Sequence, residues 1–130
     1  MMAAGLELPP EGNPAIRVVA MPADTNANGD IFGGWLVSMM DLAAGTVASQ
    51  HSKGRAATIA IDGMIFHRPV KVGDVVSVYA DLRSVGRTSM KIEVAAWRRS
   101  RDGSENERVT QATITFVAID EQGRPRAVDG

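Results

Sequence analysis

Residues 34–51 read GWLVSMMDLAAGTVASQH and predict one amphipathic helix. Their apolar side chains recur at intervals of three and four residues, which places them on one face of a helix. These side chains belong to Leu36, Met39, Met40, Ala43, Ala44, Val47 and Ala48. Gly54 follows shortly afterwards, and glycine is typical of the position just beyond a helix end. This is the only long helix that the sequence predicts.

The segments on either side of this helix predict strands. Runs of β-branched residues, or a regular alternation of apolar and polar side chains, are typical of strands. The predicted strands are residues 16–21, 57–66, 76–83, 90–96 and 109–119. Residues 22–34 lack any periodicity and predict a long loop, which in a compact domain is often functional. A hairpin turn is predicted at Gly86-Arg87 and a charged turn at residues 98–106.

The order of these elements predicts an α+β domain. Short connections between consecutive strands imply antiparallel neighbours. The simplest arrangement is an antiparallel sheet of five to six strands wrapped around one long central helix. Such a sheet leaves edges and apolar surface to protect, so we expect the protein to self-associate.

Length and composition limit the possible functions. The chain has 130 residues, 22% of them charged, with a net charge of −1 and no cysteine. We expect a flexible leader at residues 1–14, a single domain at 15–127 and a tail at 128–130. No basic field is present to recruit nucleic acid or an anionic membrane. Without a signal-like or membrane-spanning segment, the expected location is the cytoplasm.

The face of the helix opposite the apolar stripe holds a candidate acid, Asp41. Gly45 lies on the same face and costs roughly 1 kcal/mol relative to alanine, so we expect something to approach the backbone closely there. The backbone N–H groups at Gly33 and Gly34 begin the helix and can hold an anion or a developing oxyanion. The residues alone leave open the alternative that Asp41 is a solvated surface carboxylate.

A calcium-binding loop was considered for the segment before the helix. Its spacing of Asp24, Asn26, Asn28 and Asp30 is suggestive, but position 12 of such a loop requires a glutamate and is Trp35 here. These side chains are also typical of turns and helix caps. The two histidines, His51 and His67, are isolated in the sequence. We therefore predict no metal site.

Longer motifs resemble one family. Residues 20–36 read AMPADTNANGDIFGGWL and are followed by Met40-Asp41. Downstream come GMIFHRPV at 63–70, VGDVV at 72–76, FVAID at 116–120 and GRPR at 123–126. This pattern closely resembles the YciA-type acyl-CoA thioesterases and extends over about residues 16–127. The resemblance implies a hotdog fold, dimers paired through their sheets, and commonly a homohexamer built as a trimer of dimers. It implies hydrolysis of acyl-CoA to a carboxylic acid and coenzyme A in lipid metabolism, without a further cofactor.

The resemblance also implies roles for particular residues. Asp41 corresponds to the family's helix aspartate and would act as general base or nucleophile. Asn26 would assist it from a neighbouring subunit, and the N–H groups of Gly33 and Gly34 would polarise the thioester carbonyl. Around the helix end, the sequence Gln50-His51-Ser52-Lys53 differs from the usual sequence of the family and leaves the acyl preference open.

Candidate contacts with coenzyme A are spread over loops, strands and turns. They are Asn28, Phe32, Arg55, Thr58, Gly86, Arg87, Ser89 and Lys91. Cations suit the phosphates, while glycine and serine suit a close backbone approach and a hydroxyl contact. Solvated surface charge and turn chemistry are the alternatives for five of them, namely Arg55, Arg87, Lys91, Gly86 and Ser89. Phe32 and Trp35 are candidates for the floor of an acyl tunnel or for core positions. The cluster Arg98, Arg99 and Arg101 predicts a solvated basic turn.

Two other functions fit the same fold. A hotdog hydratase resembles its relatives in having a histidine shortly after an aspartate, but the residue at that spacing after Asp24 is Gly29. A non-catalytic acyl-CoA-binding sensor would need neither Asp41 nor Asn26. The presence of both favours a thioesterase, and fold alone does not decide between these functions.

Overall fold

Five strands, one long helix and a short 3-10 helix make up residues 8–129, the part of the chain described by this computed structural model. In chain order they are β1 Ile16–Val19, the 3-10 helix Pro22–Asp24, α1 Gly33–Ser52, β2 Ala56–Asp62, β3 Val75–Val85, β4 Ser89–Arg99 and β5 Asn106–Ala118. Residues 1–7 of the predicted leader lie outside this range. No helix within residues 8–129 is long and apolar enough to cross a membrane.

All five strands form one antiparallel sheet in the order β1-β3-β4-β5-β2. Helix α1 packs against four of them, β2, β3, β4 and β5. The sheet therefore curls around the helix, and the prediction of an α+β hotdog fold is confirmed. Because β1 and β2 are the two edges, β2 leaves one side of its backbone unpaired within the chain.

The apolar stripe predicted for the helix forms the core. Leu36, Met40, Ala43, Ala44 and Ala48 are buried, and Met39 and Val47 pack against them half-buried. From the sheet, alternate residues of the central strand β4 point at this stripe, as the period of two requires. These are Met90, Ile92, Val94 and Ala96, all fully buried. The helix ends at Lys53, which has a φ of 56°, and Gly54 follows.

Two predicted segments have different boundaries in the structure. The strand predicted to reach residue 66 ends at Asp62, and residues 63–74 form a connection that packs against the start of α1. At the C-terminus, the prediction of a separate tail at 128–130 is wrong for Val128. That residue is 3% exposed, and its N–H donates to the Arg87 carbonyl over 2.8 Å. The C-terminal segment therefore returns to the sheet.

Arg98 is a buried ion-pair centre, so its predicted place in a solvated turn is wrong. It lies in β4, and its Nε donates to Asp74 Oδ2 over 2.6 Å. Its Nη1 donates to Glu107 Oε1 over 2.6 Å, while Glu107 also accepts from Arg68. The hydrogen bond to Asp74 is the main cause that raises the pKa of Arg98 above its ordinary value. The turn is shorter than predicted because β4 and β5 continue to Arg99 and from Asn106.

Candidate active site

Asp41 lies beside an open groove between α1 and the edge of the sheet. The groove has a volume of about 450 Å³. Its lining is formed by Asp41, Leu42, Gly45, Thr46, Ser49, Gln50, Ala56, Thr58 and Phe116. The Thr58 hydroxyl donates to Asp41 Oδ1 over 2.5 Å, so one carboxylate oxygen is fixed by strand β2. The other oxygen is then available to a water or ligand in the groove.

A β-bulge places Thr58 next to the helix. The pairing of β2 with β5 shifts between Thr58 and Ala60, which leaves Ile59 without an opposite residue. Thr58 pairs with Phe116, whose buried side chain lies on the inner face of the sheet. Bulges of this kind redirect side chains and are frequent beside active sites. The sequence predicts Thr58 only as a coenzyme A contact, and the structure adds its hydrogen bond to Asp41.

The start of α1 offers uncapped backbone N–H groups. Phe32 is the N-cap residue and makes no side-chain capping bond, and no acidic residue lies in the first turn. The first amides of a helix lack intrahelical acceptors and carry the positive end of its dipole. A side chain built on Gly33 would touch the Phe66 ring at 3.4 Å. The helix start is therefore suited to an anionic oxygen.

Asn26 makes hydrogen bonds that close the loop before the helix. Its Oδ1 accepts hydrogen bonds from the N–H groups of Asn28, at 2.9 Å, and Asp30, at 3.2 Å. Its own N–H donates to the Asp30 carbonyl over 2.7 Å. These bonds fix the side chain at the loop base and direct its oxygen inward, so the amide N–H groups are what Asn26 can offer a ligand.

The connection at residues 63–74 holds this loop in place. The Ile31 N–H donates to the Val70 carbonyl over 3.0 Å. Lys71 Nζ forms an ion pair with Asp30 Oδ1 at 2.5 Å. Because Ile31 directly precedes the helix cap, these bonds set the position of the first helical amides.

One chain does not bring all the predicted catalytic groups together. Asp41 lies seven residues after Gly34, which is about 10 Å along a helix axis. The amides at the helix start point away from Asp41, so an oxygen bound to them lies farther still. Neither Asn26 nor the two glycines line the groove beside Asp41. Within the described chain the predicted catalytic groups therefore lie in two separate places, the helix start and the groove at Asp41, here called the two half-sites.

The predicted coenzyme A contacts fall in several places. Arg55 and Arg87 lie at one end of the sheet, where β2 and β4 begin, and Lys91 is exposed on β4. A Cβ on Gly86 would come within 2.9 Å of Ser89 Oγ, so a larger residue there would push the Ser89 side chain aside. Asn28 and Phe32, the two predicted contacts in the loop before α1, lie at the half-site of the helix start. Among the predicted coenzyme A contacts, Arg55 lines the cleft at the helix C-terminus and Thr58 lines the groove beside Asp41.

The larger cleft, at the helix C-terminus, is a weaker candidate for the chemistry. It has a volume of about 680 Å³, and its cations Lys53, Arg55 and Arg126 are matched by Asp120, Glu121 and Asp129. Arg126 donates to the carbonyls of Ser52, Ile119 and Ala127, as a structural brace would. Within residues 8–129, no three acidic, histidine or cysteine side chains are grouped to hold a metal ion.

The comparison with protein families agrees with this geometry. A profile described as the thioesterase superfamily matches residues 28–104, which include α1, the loop before it and strands β2 to β4. The chain belongs to the thioesterase superfamily. The profile therefore covers both half-sites except for the loop residues before Asn28.

Individual members of the superfamily are similar over most of the chain. An uncharacterized acyl-CoA thioester hydrolase of Zymomonas mobilis is 58% identical over 118 residues, covering 91% of this chain and 79% of its own. The acyl-CoA thioester hydrolase YciA of Escherichia coli is 45% identical, covering 92% of each chain. A hexameric thioesterase of Yersinia pestis, solved as a crystal structure, superposes with a TM-score of 0.86 at 47% identity, covering 91% of this chain and 96% of that one. The predicted YciA-type resemblance is confirmed.

Proposed function

We propose that this thioesterase superfamily member hydrolyses acyl-CoA to a carboxylic acid and coenzyme A. The observation that carries the proposal is the Asp41–Thr58 pair at the side of an open groove, with one carboxylate oxygen held and the other available. The relatives from Zymomonas mobilis and Escherichia coli, both named acyl-CoA thioester hydrolases, support this substrate class.

In the proposed reaction, Asp41 acts as general base on a water molecule. The water oxygen adds to the thioester carbonyl carbon while its proton passes to Asp41, a role that contributes about 10²–10⁴-fold in enzymes. The carbonyl oxygen becomes an oxyanion, which backbone N–H groups at Gly33 and Gly34 stabilise. The C–S bond then breaks, and the thiolate takes a proton from Asp41 or solvent. Thiols have a pKa of about 8.5, so the leaving group needs no dedicated acid.

Direct attack by Asp41 on the carbonyl carbon is the alternative role for this residue. It would form a mixed anhydride with release of the thiolate, and water would then hydrolyse the anhydride. Both roles require the same ionised carboxylate and the same oxyanion donors.

The separation of the half-sites leads us to propose that each active site is shared by two copies. Asp41 of one copy would face the helix start and Asn26 of another. The separation of about 10 Å between Asp41 and the helix start of its own chain would then no longer matter. The edge strand β2 supports this arrangement, because Ile59 is 60% exposed and Ile61 is 40% exposed beside Thr58. A dimer of this kind, and a hexamer like that of the Yersinia pestis relative, would protect that edge.

A panel of acyl-CoAs tests the proposed function directly. The wild-type protein is expected to release free thiol from at least one acyl-CoA with many turnovers, as measured with a chromogenic thiol reagent. Stoichiometric binding of acyl-CoA without thiol release would contradict the proposal and favour the non-catalytic sensor.

Thr58→Val tests how Asp41 is held. Removing a hydrogen bond to a charged group costs about 1.5–3 kcal/mol, so we expect kcat to fall by roughly tenfold to a hundredfold. Thr58→Ser keeps the hydroxyl and should restore most of the rate. Thr113→Val makes the same change on the outer face of β5 and serves as the matched control. Equal rates for Thr58→Val and the control would show that the hydroxyl has no role.

A further inference from the structure

Gly45 is not explained by the packing of its own chain. A Cβ built on it would meet only the Phe116 ring, at 3.5 and 3.7 Å, which is ordinary van der Waals contact. The close approach predicted from sequence is therefore not made by any part of residues 8–129. Because alanine is more favourable than glycine inside a helix, folding alone would favour alanine at this position.

The position of Gly45 links it to the candidate catalytic acid. It lies four residues after Asp41, about 6 Å along the helix, and lines the same groove. The apolar part of the groove around it is formed by Phe116 and Ala56 on the sheet side and Leu42, 58% exposed, on the helix side, with Thr46 as the polar neighbour. No lysine or arginine is part of this lining. Ser49 and Gln50 are farther along the helix and make that end polar.

We infer that the acyl group of the substrate lies along this groove, over Gly45 and against Phe116, and that residue 45 sets which acyl groups are accepted. The inference rests on the proposed thioester hydrolysis, which places the carbonyl carbon beside Asp41. An extended hydrocarbon chain advances roughly 1.3 Å per carbon with C–C bonds near 1.5 Å, so about five carbons reach Gly45. Acyl groups of about six to eight carbons occupy the apolar part, and an acetyl group does not reach Gly45.

The pantetheine arm of coenzyme A is the other chain that could fill a groove. Its two amides need hydrogen-bonding partners when they are desolvated. The Thr46 hydroxyl already donates to the Leu42 carbonyl over 3.0 Å and the Thr58 hydroxyl to Asp41 Oδ1 over 2.5 Å, so neither O–H beside Asp41 is left to donate to an amide carbonyl. The lining therefore matches a hydrocarbon better than a chain of amides.

Gly45→Ala and Gly45→Leu test the inference with saturated acyl-CoAs from acetyl to decanoyl. We expect the ratio of kcat/KM for octanoyl-CoA to that for acetyl-CoA to fall about tenfold in Gly45→Ala and about a hundredfold in Gly45→Leu. Acetyl-CoA is the internal control for each variant. Gly45→Ala should also raise the Tm by about 3 °C, so the loss on long chains cannot come from unfolding.

The remaining outcomes overturn the inference. A uniform loss of kcat/KM for all chain lengths would assign the groove to pantetheine, and an unchanged kcat/KM for every chain length in both variants would assign it to neither. If Gly45→Leu does not fold, Gly45→Ala decides alone. If the wild type hydrolyses no acyl-CoA, the proposed function fails separately. In that case, the affinities of the wild type and Gly45→Ala for octanoyl-CoA and acetyl-CoA are compared by titration. If Gly45→Ala does not lose more affinity for octanoyl-CoA than for acetyl-CoA, the inference also fails.

Discussion

Replacing Asp41 by asparagine is expected to lower kcat for acyl-CoA hydrolysis by about 10²–10⁴-fold. Asparagine keeps the shape and the hydrogen bond from Thr58 but removes the charge that takes a proton from water. The measurement is thiol release at saturating acyl-CoA, together with the Tm and the oligomeric state. Glu93→Gln is the matched control, because Glu93 lies on the sheet face turned away from the helix and pairs only with exposed Arg83.

Mixed oligomers extend this test to the shared active site. Asp41→Asn and Asn26→Ala are each expected to be nearly inactive, since each removes one half-site. Refolding or co-expressing the two variants together should restore activity, because some interfaces then combine an intact Asp41 with an intact Asn26. Failure to recover activity in proven mixed oligomers would show that one chain supplies both groups. A normal rate for Asp41→Asn would remove Asp41 from the mechanism altogether.

The sequence was sufficient for the fold because its main signals are local. The apolar stripe of α1 depends on spacing within one segment, and the alternation in β4 depends only on its period of two. The half-site at the helix start was also visible, since Gly33 and Gly34 follow an irregular loop and begin the stripe. Such signals require no knowledge of which strands pair.

The details that the sequence did not predict depend on contacts between distant segments. The contact between Thr58 and Asp41 needs the bulge at Ile59, which arises from the register of β2 against β5. The buried state of Arg98 needs Asp74, which lies 24 residues away along the chain. In sequence, an arginine next to other charged residues indicates a turn. Only the strand pairing shows that this arginine has buried acidic partners. Strand register therefore limited the prediction of the site more than residue chemistry did.

Arg98→Ala is expected to be the most destabilising single substitution among the charged residues discussed. The Arg98 side chain is 8% exposed, and its partners Asp74 and Glu107 are 5% and 9% exposed. Removing it leaves two buried carboxylates without their main cation, and breaking a buried pair in this way costs about 3–5 kcal/mol. For a domain of this size we expect the Tm to fall by ~10–20 °C in thermal unfolding followed by circular dichroism.

Two comparisons separate this loss from ordinary charge removal. Arg83→Ala breaks an exposed pair with Glu93 and should leave the Tm nearly unchanged, as is usual at surfaces. The triple variant Arg98→Met, Asp74→Asn, Glu107→Gln removes all three charges together and should recover part of the lost stability, because no buried carboxylate is left unpaired. Asp74 also accepts the Lys71 N–H over 2.8 Å, so the cluster fixes the connection that binds Ile31 before the helix start. If Arg98→Ala and Arg83→Ala lower the Tm equally, the cluster does not stabilise the fold.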